Sequence, residues 1–199
     1  LKKPTLHVEL PVLADARDFL SALDAALPNG NFTDNADWLE QCRQWRKKYP
    51  VVQPKHFEQR GEVNVYAFIQ KLSAKLAEGA ITVVGNGSAC VVGSHAYVIK
   101  RGQRFITNSG AASMGYDLPA ATGACIGAAR EIINITGDGS IMMNLQELET
   151  ISFNRLPIKI FLINNRGYHS IRQTQSNYFK PPRVGVGEDS GDLGFPQFE

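Results

Sequence analysis

The sequence predicts an α/β fold built on a mainly parallel sheet, and three observations lead there. Short β-branched or apolar runs recur at Ile81–Val84, Phe105–Thr107, Ile132–Thr136 and Ile158–Ile163. Runs of that length suit strands covered on both faces. Stretches with apolar residues at helical spacing separate them, and strands alternating with helices imply a parallel sheet with right-handed crossovers. Two runs stop at polar clusters, Gly137-Asp138-Gly139-Ser140 and Asn164-Asn165-Arg166-Gly167. In a parallel sheet those strand ends share one edge, where ligands bind.

The elements follow in order. After the short apolar stretch Leu10–Asp15, Ala16–Leu27 carries Phe19, Leu20, Leu23 and Leu27 at helical spacing and is stopped by Pro28-Asn29-Gly30-Asn31. Asp37–Tyr49 is a helix with Trp38, Cys42, Trp45 and Tyr49 on one face, read as packing anchors. Arg43, Arg46, Lys47 and Lys48 crowd its C-terminal half, where cations favour the helix dipole, and read as a solvated face, with an anion or partner site as the alternative. Pro50–Arg60 reads as a linker. Its His56, like His7 and His95, reads as a surface residue, because no Cys or His stands at metal-ligand spacing.

Glu62–Glu78 is a helix with Val65, Ile69, Leu72 and Leu76 on one face, ended by Gly79. Strand Ile81–Val84 runs into Gly85-Asn86-Gly87-Ser88, a glycine-rich strand-to-helix turn suited to phosphate. Strand Phe105–Thr107 leads into Asn108–Tyr116, and Leu118–Arg130 is a helix rich in Ala and Gly that can pack closely. Helices Leu145–Phe153 and Tyr168–Tyr178 flank the last strand, the second lining the site, and Lys180–Glu199 is a loop rich in Pro and Gly.

Composition bounds the function. The 199 residues suit one to two domains with a sizeable core. Hydrophobic content of 43% and a net charge of +2 argue against disorder and against nucleic acid as a partner. No apolar run approaches the roughly 20 residues of a membrane span, and the first residues lack a signal peptide's apolar centre. Cys42, Cys90 and Cys125 form no C-x-x-C and suit the reduced thiols of a cytoplasmic protein. Cys90, near the first glycine-rich turn, reads as a buried small hydrophobe.

The chemistry lies in the two polar clusters. Asp138 and Asn165 stand about one strand–helix–strand unit apart. One hard oxygen from each suits Mg²⁺, which is usually held by one or two protein groups plus substrate phosphates. Gly139 and Ser140 would open the next helix, whose free N–H groups favour a phosphate. The plainer alternative is two ordinary strand-to-helix turns.

Gly-Asp-Gly followed at this spacing by Asn-Asn resembles the signature of thiamine diphosphate-dependent enzymes. Met143–Thr150 (M-N-L-Q-E-L-E-T) and Asn108–Ala124 (N-S-G-A-A-S-M-G-Y-D-L-P-A-A-T-G-A) are similar to the pyrophosphate-binding domain of acetolactate synthase-like enzymes, the acetohydroxyacid synthase large subunits. The likeness runs from about Trp38 to Phe179.

The resemblance implies the three-layer α/β/α thiamine diphosphate-binding fold, truncated at both ends. Residues 1–30 would be the tail of a preceding middle domain, 31–61 a helix and linker, and 62–199 the pyrophosphate-binding domain, incomplete at its C-terminus. Asp138, the side chain of Asn165 and the carbonyl of Gly167 would bind Mg²⁺. Gly137, Gly139 and Ser140 would hold the diphosphate, with Gly87, Ser88 and Ala89 as the second diphosphate loop. Met114 matches an apolar wedge that keeps the cofactor bent, and the Ala112 carbonyl matches the acceptor for its 4′-amino group, where the family usually has Gly. Ile171 matches an apolar position near the reactive carbon. His169 is a candidate for a catalytic or substrate role and Arg172 for binding a substrate carboxylate, set against a rim or structural role for His169 and a surface or salt-bridge role for Arg172. Gln173-Thr174-Gln175 departs from the family's Gln-Trp-Gln.

The implied activity is thiamine diphosphate- and Mg²⁺-dependent decarboxylation of a 2-keto acid, pyruvate favoured, with carboligation to a second carbonyl. The alternatives are another thiamine diphosphate-dependent decarboxylase or carboligase and a non-catalytic binding module. The family's activating Glu has no match in this chain, so the chain alone is expected to be inactive. A homodimer or homotetramer is expected, with FAD possible through the middle domain. A dinucleotide-binding dehydrogenase is disfavoured, since no G-x-G-x-x-G opens a helix after a strand.

Overall fold

The computed structural model describes residue 5 and residues 7–27, 35–187 and 190–191. The chain divides into two compact units, Leu1–Tyr49 and Pro50–Glu199. The first holds α1 (Ala16–Ala26) and α2 (Ala36–Lys48). The Asp15 carboxylate caps α1 by accepting from the Arg17 N–H at 2.9 Å. On α2, Trp38 and Trp45 meet edge to face at 5.5 Å. They are 58% and 45% exposed, so the expected packing anchors are surface residues here. The expected stop Pro28–Asn31 lies outside the described residues.

The second unit opens with α3 (Pro54–Glu58), a short helix inside the expected linker. Pro54 supplies a φ already suited to a first helical turn, and the Gln53 N–H donates to His56 Nδ1 at 3.3 Å. His56 is therefore half-buried, its ring 5.6 Å from that of Tyr66. Next, α4 (Val65–Lys75) starts later than periodicity suggested, because the Asn64 side chain accepts from the Tyr66 and Ala67 N–H groups at 3.0 and 3.3 Å. It also ends earlier. The Lys100 ammonium donates to the Ala74 and Leu76 carbonyls, both at 2.6 Å, where the helix leaves unpaired acceptors.

Among the described residues four strands follow, β1 (Ile81–Val84), β2 (Arg104–Thr107), β3 (Ile132–Gly137) and β4 (Ile158–Ile163). All neighbours are parallel, in the order β2-β1-β3-β4. They are connected by α5 (Ser88–Ala96), α6 (Asp117–Ala128), the short α7 (Asp138–Ile141) with a 3₁₀ turn at Met142–Asn144, and α8 (Glu147–Phe153); α9 (His169–Tyr178) comes last. The expected Leu145–Phe153 helix is thus the end of a broken run. Left-handed Ala129, φ 49°, ends α6 before Arg130.

The fold is three-layered. Ile69 of α4 and Ala89, Val92 and Ala96 of α5 pack with Val84, Ile133, Ile135 and Ile163 on one face of the sheet. On the other face Ala121 and Cys125 of α6 cover Ile81, Val83 and Ile132, and Leu118 and Ile151 pack beside Ile158, Ile160 and Leu162. Alternate residues of one strand serve opposite layers, the period expected of a pleated chain. Burying each Ile or Val fully is worth roughly 1.5–3 kcal/mol. The three cysteines are free thiols. Among the described residues no helix is long and apolar enough to cross a membrane.

Candidate functional site

The strand order reverses direction between β1 and β3, so the turns after these two strands diverge and leave a crevice. Gly85–Ser88 follows β1 and Gly137–Ser140 follows β3. The Gly85 N–H donates to the Ile135 carbonyl at 2.8 Å and keeps the two turns side by side. A cavity of about 430 Å³ opens there. Its walls include Gly87, Ser88, Ala112, Met114, Gly137, Asp138, Gly139, Ser140, Asn165, Gly167, His169 and Ile171. Two expected residues lie elsewhere. Ala89, in the first turn of α5, is fully buried in the core, and Arg172 lines a neighbouring cavity of about 910 Å³.

Asp138 is 1% exposed, and its two oxygens are aimed by backbone donors. Oδ1 accepts from the Gly139 N–H at 2.9 Å and Oδ2 from the Gly167 N–H at 2.8 Å. The Asn165 amide donates from Nδ2 to Ser88 Oγ at 3.2 Å. In that orientation its Oδ1 stands 3.2 Å from Asp138 Oδ1 and 2.6 Å from the Gly167 carbonyl oxygen; turned over, its NH₂ donates to those two oxygens and its oxygen accepts from Ser88 Oγ, which satisfies both ends of the amide. With the amide oxygen facing inward three acceptors converge, an arrangement that a hard cation satisfies. The donors are a carboxylate, a side-chain amide and a peptide carbonyl, which suit Mg²⁺ or Mn²⁺. Among the described residues no group of three or more His, Cys, Asp or Glu could hold a metal, so a zinc-type centre has no ligand set.

The loop after β4 bends sharply to deliver these atoms. Arg166 has φ 57° and Gly167 φ 119°. The Arg172 guanidinium holds the bend by donating to the Asn165 and Arg166 carbonyls at 2.8 and 3.2 Å. Arg172 was expected to bind a substrate carboxylate or to sit at the surface; here it tethers α9 to this loop. His169 lies between both cavities.

A buried polar strut supports the second turn. The Ser140 hydroxyl donates to Asp117 Oδ1 and accepts from the Gly115 N–H, both at 2.9 Å. The Ser140 hydroxyl is therefore engaged within the fold, and the expected diphosphate contact is left to its backbone N–H. Asp117 is fully buried, and its Oδ2 has no hydrogen-bond partner among the described residues. The Asn144 amide donates to the Gly115 carbonyl at 2.7 Å, fixing the loop that carries Ala112 and Met114. Ala112 has φ 54°, the left-handed region that favours glycine. The approach at Gly139 is close as well: a Cβ there would lie 2.6 Å from the Tyr168 ring.

Sequence reading gave no role to Asp117, Val91 and Ser109 at or beneath the site, and singled out neither Asn86 within the phosphate-suited turn nor Tyr168 and Ser170 within the helix expected to line it. Asp117 carried one signal, an acidic residue opening an otherwise apolar helix. Cys90 is half-buried, its Sγ 3.2 Å from Thr107 Oγ1.

Fold and cavity together define a parallel α/β ligand-binding domain with its site at the reversal of strand order. Residues 85–198 match the C-terminal TPP binding domain of the thiamine pyrophosphate (thiamine diphosphate) enzymes, and the chain belongs to that family. It is 30% identical to the acetolactate synthase isozyme 1 large subunit of Escherichia coli (strain K12) over 181 residues, 90% of this chain and 30% of that protein. It is 34% identical to the acetolactate synthase large subunit of Cyanidium caldarium over 178 residues, 86% of this chain and 29% of that protein. With acetolactate synthase 2, chloroplastic, of Zea mays the identity is 28% over 202 residues, 99% of this chain and 31% of that protein. The chain thus spans under a third of the length of these relatives.

Proposed function

We propose that this chain forms the cation- and diphosphate-binding part of an acetolactate synthase-like enzyme, which decarboxylates a 2-keto acid, pyruvate favoured, and joins the remaining fragment to a second carbonyl. The observation that carries this reading is the convergence of Asp138 Oδ1, the Asn165 side-chain amide and the Gly167 carbonyl. Bound thiamine diphosphate would supply the electron sink for breaking the bond beside the keto carbonyl. The three oxygens would hold Mg²⁺. The turns at Gly87-Ser88 and Gly137–Ser140 would hold the diphosphate, Ser140 through its backbone because its hydroxyl is engaged. Met114 and Ile171 would wall off water, and the Ala112 carbonyl would accept from the cofactor's ring amine. His169 is assigned to the rim, and Arg172 to holding the Asn165–Gly167 loop.

The chain lacks a match for the activating Glu, so activity would need further polypeptide and a partner subunit, as a homodimer or homotetramer. A cytoplasmic location suits the free thiols. FAD, if bound, would lie outside this domain. One observation favours a second reading: Thr174, with its hydroxyl donating to the Ser170 carbonyl at 3.1 Å, stands where the resembled synthases carry Trp. That favours a carboligase or decarboxylase with a different substrate. The test is pyruvate turnover by the longer protein with thiamine diphosphate and Mg²⁺, following carbon dioxide and acetolactate. Acetolactate supports the synthase reading, and acetaldehyde would point to a decarboxylase. Cofactor binding without turnover would point to another donor or a non-catalytic module.

A further inference from the structure

Ser88 stands where two binding events meet. Its hydroxyl lies on the cavity wall and 3.2 Å from the Asn165 amide. A hydroxyl has one proton to donate and two lone pairs to accept with. The amide can present either face to it. With Nδ2 toward Ser88, the amide donates to Oγ at 3.2 Å and its own oxygen joins the Asp138 and Gly167 oxygens. Turned over, its NH₂ donates to Asp138 Oδ1 at 3.2 Å and to the Gly167 carbonyl at 2.6 Å, and its oxygen accepts from Ser88 Oγ at 3.2 Å.

These orientations belong to different loading states. Without a cation the turned-over amide is favoured, because its two N–H groups separate oxygens that otherwise face one another. In that state the single Ser88 proton points at Asn165, and Ser88 has only lone pairs to offer an anion. A cation among the three oxygens needs the amide oxygen facing it. Nδ2 then satisfies a Ser88 lone pair, and the Ser88 proton is free. The rotation is about one sp³–sp² bond with a broad, roughly two-fold profile.

We propose that the Asn165 amide turns over when a cation enters the site, and that this frees the Ser88 hydroxyl to donate to the anionic group bound beside it. Cation and anion are thereby coupled through one proton, beyond their direct attraction. The coupling rests on the assignment of this site to a cation and a diphosphate. A hydrogen bond to a charged acceptor corresponds to roughly tenfold or more in affinity. By linkage the anion strengthens cation binding by the same factor.

The test uses the full-length protein, Mn²⁺ read by electron paramagnetic resonance, and thiamine diphosphate as the anion. The measured quantity is the factor by which thiamine diphosphate tightens Mn²⁺ binding. Ser88→Ala should lower that factor roughly tenfold, and Ser88→Thr should restore most of it. Asn165→Asp has no NH₂ to turn, so it should bind Mn²⁺ alone at least as well while losing much of the enhancement. In that background Ser88→Ala should produce no further loss. An unchanged factor in folded Ser88→Ala, with anion affinity reduced equally in the presence and absence of Mn²⁺, would overturn the coupling and leave the site assignment intact. A wild-type protein whose Mn²⁺ affinity ignores thiamine diphosphate would instead overturn the assignment itself.

Discussion

Gly85→Ala should be among the most damaging small substitutions in this chain, although no ligand need touch it. A Cβ at Gly85 would fall 2.8 Å from Oδ1, 2.9 Å from Cγ and 3.2 Å from Oδ2 of Asp117. Ordinary contact begins near 3.4 Å, so the carboxylate would have to retreat by about 0.6 Å. Asp117 is fully buried, and its Oδ1 bonds Ser140 at 2.9 Å. The same retreat would stretch that bond to about the limit of a hydrogen bond. Overpacking costs about 1–3 kcal/mol, and a lost hydrogen bond to a charged group about 1.5–3 kcal/mol. Together they give a destabilisation of roughly 3–5 kcal/mol. The assay is urea denaturation followed by circular dichroism, run as a double-mutant cycle. In an Asp117→Ala background the clash partner is gone, and Gly85→Ala should cost less than about 1 kcal/mol. Equal costs in the two backgrounds would refute the reasoning.

Four further outcomes are expected. Asp138→Ala should abolish Mg²⁺-dependent thiamine diphosphate affinity, measured by titration calorimetry, and unchanged affinity would remove Asp138 from the cation site. Ala112→Gly should raise stability by up to about 1 kcal/mol, since the left-handed penalty of about 1–2 kcal/mol exceeds glycine's added chain entropy; a fall in the urea midpoint would contradict this. Arg172→Lys replaces a fork bonded to two carbonyls with a single ammonium, so Mn²⁺ affinity should weaken several-fold with little change in melting temperature. Burial raises the Tyr97 hydroxyl above its usual 10.0, partly opposed by its hydrogen bond to Thr82. The unfolded chain ionises first, so this contribution is full below about pH 10 and fades as pH rises through the folded value. Tyr97→Phe should flatten the alkaline end of the stability profile.

Strands and their closing turns were legible because each depends on neighbouring residues alone. A run such as Ile81–Val84 has few conformations other than a buried strand, and Gly-Asp-Gly after Thr136 announces a turn. Element ends were less legible, because they depend on individual side chains. Asn64 captures two N–H groups and delays α4, while Lys100 reaches back from about two dozen residues away to close it. Long-range roles were hidden altogether. Nothing local to Asp117 says that it will meet Ser140, which lies beyond an entire helix and strand. Arg172 has the chemistry of an anion binder, and only the fold shows two peptide carbonyls already within its reach. Trp38 and Trp45 read as anchors by type, but within their own unit they are exposed and contact each other.

The three converging oxygens also gauge strand register. Among the described residues β4 has one neighbour, β3, with Gly137 opposite Ile163. A strand advances about 3.3 Å per residue. That is as large as the 3.2 Å spacing between the Asp138 and Asn165 positions. A slip of one residue would carry Asn165 and Gly167 out of reach of Asp138 and turn Phe161 and Ile163 to the wrong layer. Any ion held there would be held only by the correctly paired sheet. Loading the site should therefore protect the amides of β1, β3 and β4 from hydrogen exchange together, joining segments as distant in sequence as Ser88 and Asn165, 77 residues apart.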